Sequence, residues 1–308
     1  MIRDPTKPEE HYGSCPITAH GSRITHAERY LALAHLGRNE WWRYVLGIIA
    51  ILFSWLILGW MPYALVVMEG GDGLLIRFIA VNFSIIMMLG GLTVAVKFIH
   101  RRPLMTLVTG ERGIDWGRIA RAALVWAVIG LATVLAEHLL YPERYLLSFM
   151  AERFVPFAAV ALLLTPLQTA TEELVFRGYV MQGMALVVKR PAAVAVASAI
   201  IFTLPHLLNP EVQQHGVVLM GASYFVIGLL LAAVVLRDGR LELAIGLHAA
   251  NNLLLVLVAN YEGSVLASES IFTARELDPA YALATLSIGA LLFYAWFFCR
   301  GRSVDAAA

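Results

Sequence analysis

Charge is scarce in this chain. Of its 308 residues only 15% are Asp, Glu, Lys or Arg, and 59% are hydrophobic. A soluble globular chain carries roughly 25% charged residues, so a water-soluble domain with a large core is excluded and an integral membrane protein is expected. Cysteine is scarcer still. Cys15 and Cys299 stand at opposite ends, which leaves no disulfide framework and no thiolate metal site. The net charge is +1, and no basic run with interleaved aromatics occurs. No nucleic-acid partner is expected. The first 43 residues are polar, with Pro5, Pro8 and Pro16, and the first apolar run begins only at Tyr44. That run is too late and too long for a cleavable signal. No internal repeat of usable length occurs.

What is present is a series of apolar runs. A helix needs about 20 residues to cross a bilayer. Eight runs approach that length, at 44–68, 78–96, 119–140, 154–176, 192–208, 217–236, 241–259 and 281–299. A bilayer core holds no water to satisfy backbone groups, so such runs must be helical. The fold expected is all-α: a polytopic transmembrane helical bundle of about eight spans. Residues 1–43 read as a polar cytoplasmic arm at the membrane surface, partly disordered. Residues 44–140 read as amino-terminal transmembrane helices, 141–300 as a second transmembrane bundle, and 301–308 as a short cytoplasmic tail. With the amino terminus inside, the inner connections carry 19 of the 23 lysines and arginines. The positive-inside rule then puts both termini in the cytoplasm. A multi-pass protein of a bacterial inner membrane is expected.

Against that apolar background a few polar residues stand out. "LQTATEELVFRGYV" places Glu172, Glu173 and Arg177 in a greasy helix. A carboxylate at the bilayer centre costs about 3 kcal/mol on the insertion scale, so such residues persist when they pair or work. Glu173 and Arg177 are four apart and share a face, which reads as a buried ion pair. Glu172 lies about 100° round the helix and needs another partner. Two further runs carry candidates. Phe202 and His206 are four apart in "FTLPH", and His248 and Asn252 are four apart in "HAANN". His138 and His215 lie near outer ends and read as solvated.

The chemistry open to this set is narrow. There is no Gly-x-Ser-x-Gly elbow and no cysteine beside these histidines, so covalent acyl catalysis lacks a nucleophile. No His-Glu-x-x-His helix occurs. What remains is a carboxylate and a histidine able to deprotonate water, with a second histidine and an amide able to donate to an oxyanion. Glu172, His206 and His248 could equally hold one divalent, zinc-like ion, with water as fourth ligand. Two other readings compete: a proton-coupled transporter, and a non-catalytic immunity or binding protein that keeps the fold. No inverted repeat supports the transporter.

Taken together, Glu-Glu-x-x-x-Arg at 172–177, Phe-x-x-x-His at 202–206 and His-x-x-x-Asn at 248–252 resemble the CPBP family. That family holds CAAX prenyl endopeptidases of the Ras-converting type and bacteriocin-processing or abortive-infection relatives. The likeness spans roughly residues 160–260 and implies an intramembrane endopeptidase. By motif position, Glu172 would be the water-activating base with His206 assisting. His248 and Asn252 would hold the oxyanion, and Glu173, Arg177 and Phe202 would brace the site. Members have been described both as metalloproteases and as glutamate proteases. The substrate implied is a membrane-associated or lipidated peptide or protein.

Overall fold

A computed structural model describes residues 25–71 and 73–299. The first part of the polar arm and the short tail lie outside the described residues. Ten helices carry the fold. They are α1 (His26–Ala32), α2 (Trp41–Met68), α3 (Leu74–Ile99), α4 (Trp116–Leu140) and α5 (Ala151–Met184), then α6 (Pro191–His206), α7 (Pro210–His215), α8 (Val217–Asp238), α9 (Glu242–Leu257) and α10 (Pro279–Phe298). The strands are three residues each: β1 (Tyr145–Leu147), β2 (Ala259–Tyr261) and β3 (Phe272–Ala274). The all-α membrane bundle read from the sequence is therefore the architecture observed.

Each of the eight apolar runs is a helix, but they are not equal in length. Six (α2, α3, α4, α5, α8 and α10) are long and apolar enough to cross a membrane, while α6 and α9 are shorter apolar helices. The outward faces are greasy. Leu124, Val128, Leu131 and Leu135 make an exposed stripe along α4, and Leu291 and Leu292 are exposed on α10. Trp41 and Trp116 sit exposed at helix starts, as interfacial tryptophans do.

The short helix α9 is the centre of the bundle. Every residue from Glu242 to Ala250 is buried. It packs between α4 and α5, and its small residues allow that. A Cβ on Gly246 would come within 2.1 Å of the Ile119 carbonyl oxygen, so only glycine lets α4 lie this close. Small residues set backbone approach in the same way in many membrane helix pairs.

The connections gather at two ends. At one, Arg118 pairs with Asp238, Arg240 pairs with Glu111 at 3.0 Å, and the Leu241 amide donates to the Val108 carbonyl at 2.9 Å. At the other, β3 pairs antiparallel with β1 and parallel with β2, and Arg144 joins Glu137 and Asp278.

The described part of the arm, from Thr25 onward, packs against the bundle. Thr25 and Glu28 close a reciprocal cap on α1, which satisfies amides the first turn leaves free. Tyr30 is buried, and its hydroxyl donates to the Leu107 carbonyl at 2.6 Å and the Arg177 carbonyl at 3.2 Å. Arg102 donates to Gln182 at 2.8 Å. His100 hydrogen-bonds the Arg38 carbonyl through Nδ1 and the Tyr179 hydroxyl through Nε2. The arm thus braces the end of α5 from behind the site.

Candidate active site

Three helices bring the candidates together. Helix α5 supplies Glu172, Glu173 and Arg177; α6 supplies Phe202 and His206; α9 supplies His248 and Asn252. Glu172, His206, His248 and Asn252 all line one cavity of about 420 Å³. Its remaining wall is largely apolar, with Trp55, Met88, Met220, Ile227 and Leu286 among the lining residues. Directly after Glu173 the backbone widens into a π-helical stretch, Leu174–Val180. Such stretches are frequent at functional sites.

The two adjacent glutamates diverge, as helical geometry requires. Glu172 faces the cavity. Glu173 has no exposed surface and does not line it. One oxygen of Glu173, Oε1, accepts from the Arg177 guanidinium at 2.9 Å and from His248 Nδ1 at 2.7 Å. Arg177 is fully buried too. Its other terminal nitrogen donates to the Gly228 carbonyl at 3.0 Å, and its guanidinium lies 4.3 Å from the centre of the Phe202 ring. The expected pair is therefore present, and it does one thing the sequence did not suggest: it holds His248.

That contact fixes the imidazole. A carboxylate paired with arginine only accepts, so His248 Nδ1 carries a proton. Nε2 then faces Glu172 Oε2 at 3.5 Å, long for a direct hydrogen bond. In the neutral ring Nε2 is an acceptor. To donate toward an oxyanion, His248 must hold a second proton.

His206 is set by a different device. Its Nδ1 donates to the Phe202 carbonyl one turn back, at 2.7 Å. A carbonyl cannot donate, so the neutral ring keeps Nε2 free as an acceptor. The ring lies between Phe202 and Tyr224, each with its centre 4.5 Å away. Tyr224 donates to Glu211 and accepts from Asn209 Nδ2 at 3.0 Å. Glu211 Oε2 accepts the Val265 amide at 3.1 Å. Between Leu208 and Val217 the chain folds as α7, with Asn209 and Glu211 on the cavity wall.

Asn252 is oriented by residues that carry no motif. Trp126 Nε1, which can only donate, reaches Asn251 Oδ1 at 3.2 Å. Asn251 Nδ2 then donates to Asn252 Oδ1 at 3.2 Å. The chain of donors leaves the Asn252 amide nitrogen free to point at substrate. Asn251, Trp126, Glu211 and Tyr224 escaped the reading of the sequence. The doubled asparagine in "HAANN" was the one visible signal among them.

The ligand set expected for a divalent ion is not assembled. Among the described residues no three His, Cys, Asp or Glu side chains are grouped as a metal requires. Glu172, His206 and His248 share a cavity without forming such a set. These residues do not fit a three-ligand ion as placed.

No solved structure matches the chain. Residues 151–254 match the family described as Type II CAAX prenyl endopeptidase Rce1-like. Those residues hold all three motifs. The Bacillus subtilis (strain 168) protein YyaK, described as uncharacterized, is 31% identical over 219 residues, covering 69% of this chain and 73% of that protein. The apolar bundle and this likeness make the chain a multi-pass membrane protein, and it belongs to the Rce1-like branch of the CPBP family, a family of membrane proteases.

Proposed function

We propose that the chain is an intramembrane endopeptidase that cleaves a membrane-associated or lipidated peptide by water attack. Glu172 takes one proton from water while His206 Nε2 accepts the other hydrogen, which aims a lone pair of the water oxygen at the peptide carbonyl. The new C–O bond pushes the carbonyl electrons onto oxygen. Asn252 Nδ2–H and doubly protonated His248 donate to that oxyanion. Collapse breaks the C–N bond, and the leaving nitrogen receives the proton that Glu172 took. Glu173, held by Arg177, keeps the His248 ring in the orientation this requires. The observation that carries this reading is the meeting of an acceptor pair and a donor pair in one largely apolar cavity.

The lysine and arginine bias supports a placement with both termini in the cytoplasm of a bacterial cell membrane. The test compares cells carrying wild type or Glu172→Gln by membrane proteomics. Peptides whose termini depend on Glu172 support a peptidase. Full function with Glu172→Gln would favour a non-catalytic binding or immunity role. A cleaved peptide then decides the metal question. Turnover that survives exhaustive chelation supports the glutamate base, whereas turnover lost and restored by zinc would point to a metal-dependent mechanism.

A further inference from the structure

The π-helical stretch Leu174–Val180 is held by segments far away in sequence. The Tyr30 hydroxyl bridges the Leu107 carbonyl at 2.6 Å and the Arg177 carbonyl at 3.2 Å. Leu107 lies hard against Gly178, where a Cβ would come within 3.0 Å of the Leu107 side chain and 3.2 Å of its carbonyl oxygen. The Tyr179 hydroxyl bonds His100 Nε2 at 2.9 Å. Just beyond the stretch, Gln182 donates to the Thr106 carbonyl at 2.8 Å. Tyr30, His100, Thr106 and Leu107 all lie outside residues 151–254, the segment that holds the three motifs.

The winding of this stretch matters to the site. π-Helical bonds span one residue more than α-helical ones, and such stretches are rare and short. Rewinding to the α register would turn the residues beyond by about 100° relative to those before. Glu173 precedes the stretch and Arg177 lies inside it, so their pairing depends on the winding between them. From Arg177 the links run on without a gap. Its guanidinium donates to Glu173 Oε1 at 2.9 Å, and that oxygen accepts from His248 Nδ1 at 2.7 Å. Three hydrogen bonds in series thus join the Tyr30 hydroxyl to the His248 imidazole. Tyr30, Arg177, Glu173 and His248 are all buried, where water does not compete for such bonds.

We infer that Tyr30 is a positioning residue for His248, and that the amino-terminal arm is therefore part of what makes the site competent. The inference rests on the peptidase reading. The Tyr30 ring packs the arm onto the bundle; its hydroxyl staples the backbone of Arg177 to the turn at Leu107. The two jobs separate by experiment, because the hydroxyl can be removed with the ring left in place.

The test uses the full chain in detergent and a fluorescence-quenched peptide that wild type cleaves and Glu172→Gln does not. Tyr30→Phe should lower kcat by a few-fold to about tenfold, the weight of one buried hydrogen bond. KM should stay unchanged, because His248 acts on charge that develops only after binding. Para-aminophenylalanine at position 30 restores a donor in the same place and should return most of the lost kcat. Nitrogen NMR of the histidine side chains gives a direct readout, with the His248 signal assigned by its loss in His248→Ala. Wild type should show one Nδ1–H tautomer, and Tyr30→Phe a second form or exchange broadening. Thr25→Ala, which removes only the cap of α1, should shift both readouts in the same direction and serves if Tyr30→Phe fails to fold. Wild-type kcat in the folded variant, or a lower kcat with an unchanged His248 signal, would overturn the inference and leave the peptidase standing. Equal cleavage of every candidate peptide by wild type and Glu172→Gln would overturn the peptidase reading itself, and this inference with it.

Discussion

Glu173 shares one oxygen between Arg177 and His248 and has no exposed surface. Glu172, one residue earlier, has a cavity in front of it and His248 Nε2 at 3.5 Å. The two carboxylates have the same chemistry and the same helix. What separates them is about 100° of rotation, which buries one inside an ion pair and leaves the other beside a space. A carboxylate closed in by arginine and imidazole positions its neighbours. A carboxylate with one face on a cavity is free to take a proton. The division of labour proposed here is a consequence of that rotation.

The sharpest way to break the comparison is to neutralise each partner in turn. Glu172→Gln should lower turnover by about 10²–10⁴, the usual contribution of a positioned base, with little change in the thermal melt of detergent-solubilised protein. Activity and melt measured on the same preparation check both halves. Arg177→Ala should behave in the opposite way. It leaves Glu173 buried without its cation, and breaking a buried pair costs about 3–5 kcal/mol. Folded yield and melting temperature should fall together. An Arg177→Ala protein as stable as wild type would show that Glu173 does not depend on the pair.

Much of this was legible because apolar helices make polar residues conspicuous. Glu172, His206, His248 and Asn252 stood out for their cost in lipid, and Glu173 with Arg177 for their spacing of four. All eight apolar runs are helices, though α6 and α9 are shorter than a span requires by length alone. Other features leave no periodic trace. The bond from Glu173 to His248 joins residues 75 apart, and nothing local announces it. The arm docks through Tyr30 onto two backbone carbonyls, and any residue supplies a carbonyl. Glu211 falls between the apolar runs, where a charge is unremarkable until α7 folds it against Tyr224. The metal alternative had the right residue types. Shared lining of a cavity is a weaker condition than ligand geometry, and the sequence could not separate the two.

On the donor side of the cavity the expected effects are smaller. Asn252→Ala should cost about 10²–10³ in kcat, as removal of one oxyanion donor does, with KM nearly unchanged because the contact matures only as charge develops. A loss confined to KM would place Asn252 in substrate binding instead.

Trp126→Phe carries the smallest expected change and asks the finest question. Its indole N–H settles which way Asn251 points, and Asn251 settles Asn252. Phenylalanine keeps most of the ring that packs against Phe293, whose centre lies 5.8 Å away, so the helix contact should survive. With the N–H gone, the Asn251 amide is free to flip, and Asn252 is then free to present oxygen instead of nitrogen to the cavity. One neutral hydrogen bond is worth roughly 0.5–1.5 kcal/mol, so kcat should fall by a few-fold to about tenfold, with an unchanged melt. The relay makes a further demand. In an Asn252→Ala background Trp126→Phe should have almost no additional effect on kcat, because nothing remains to be oriented. Independent losses in the double variant would mean that Trp126 acts on α9 packing and not through the two asparagines.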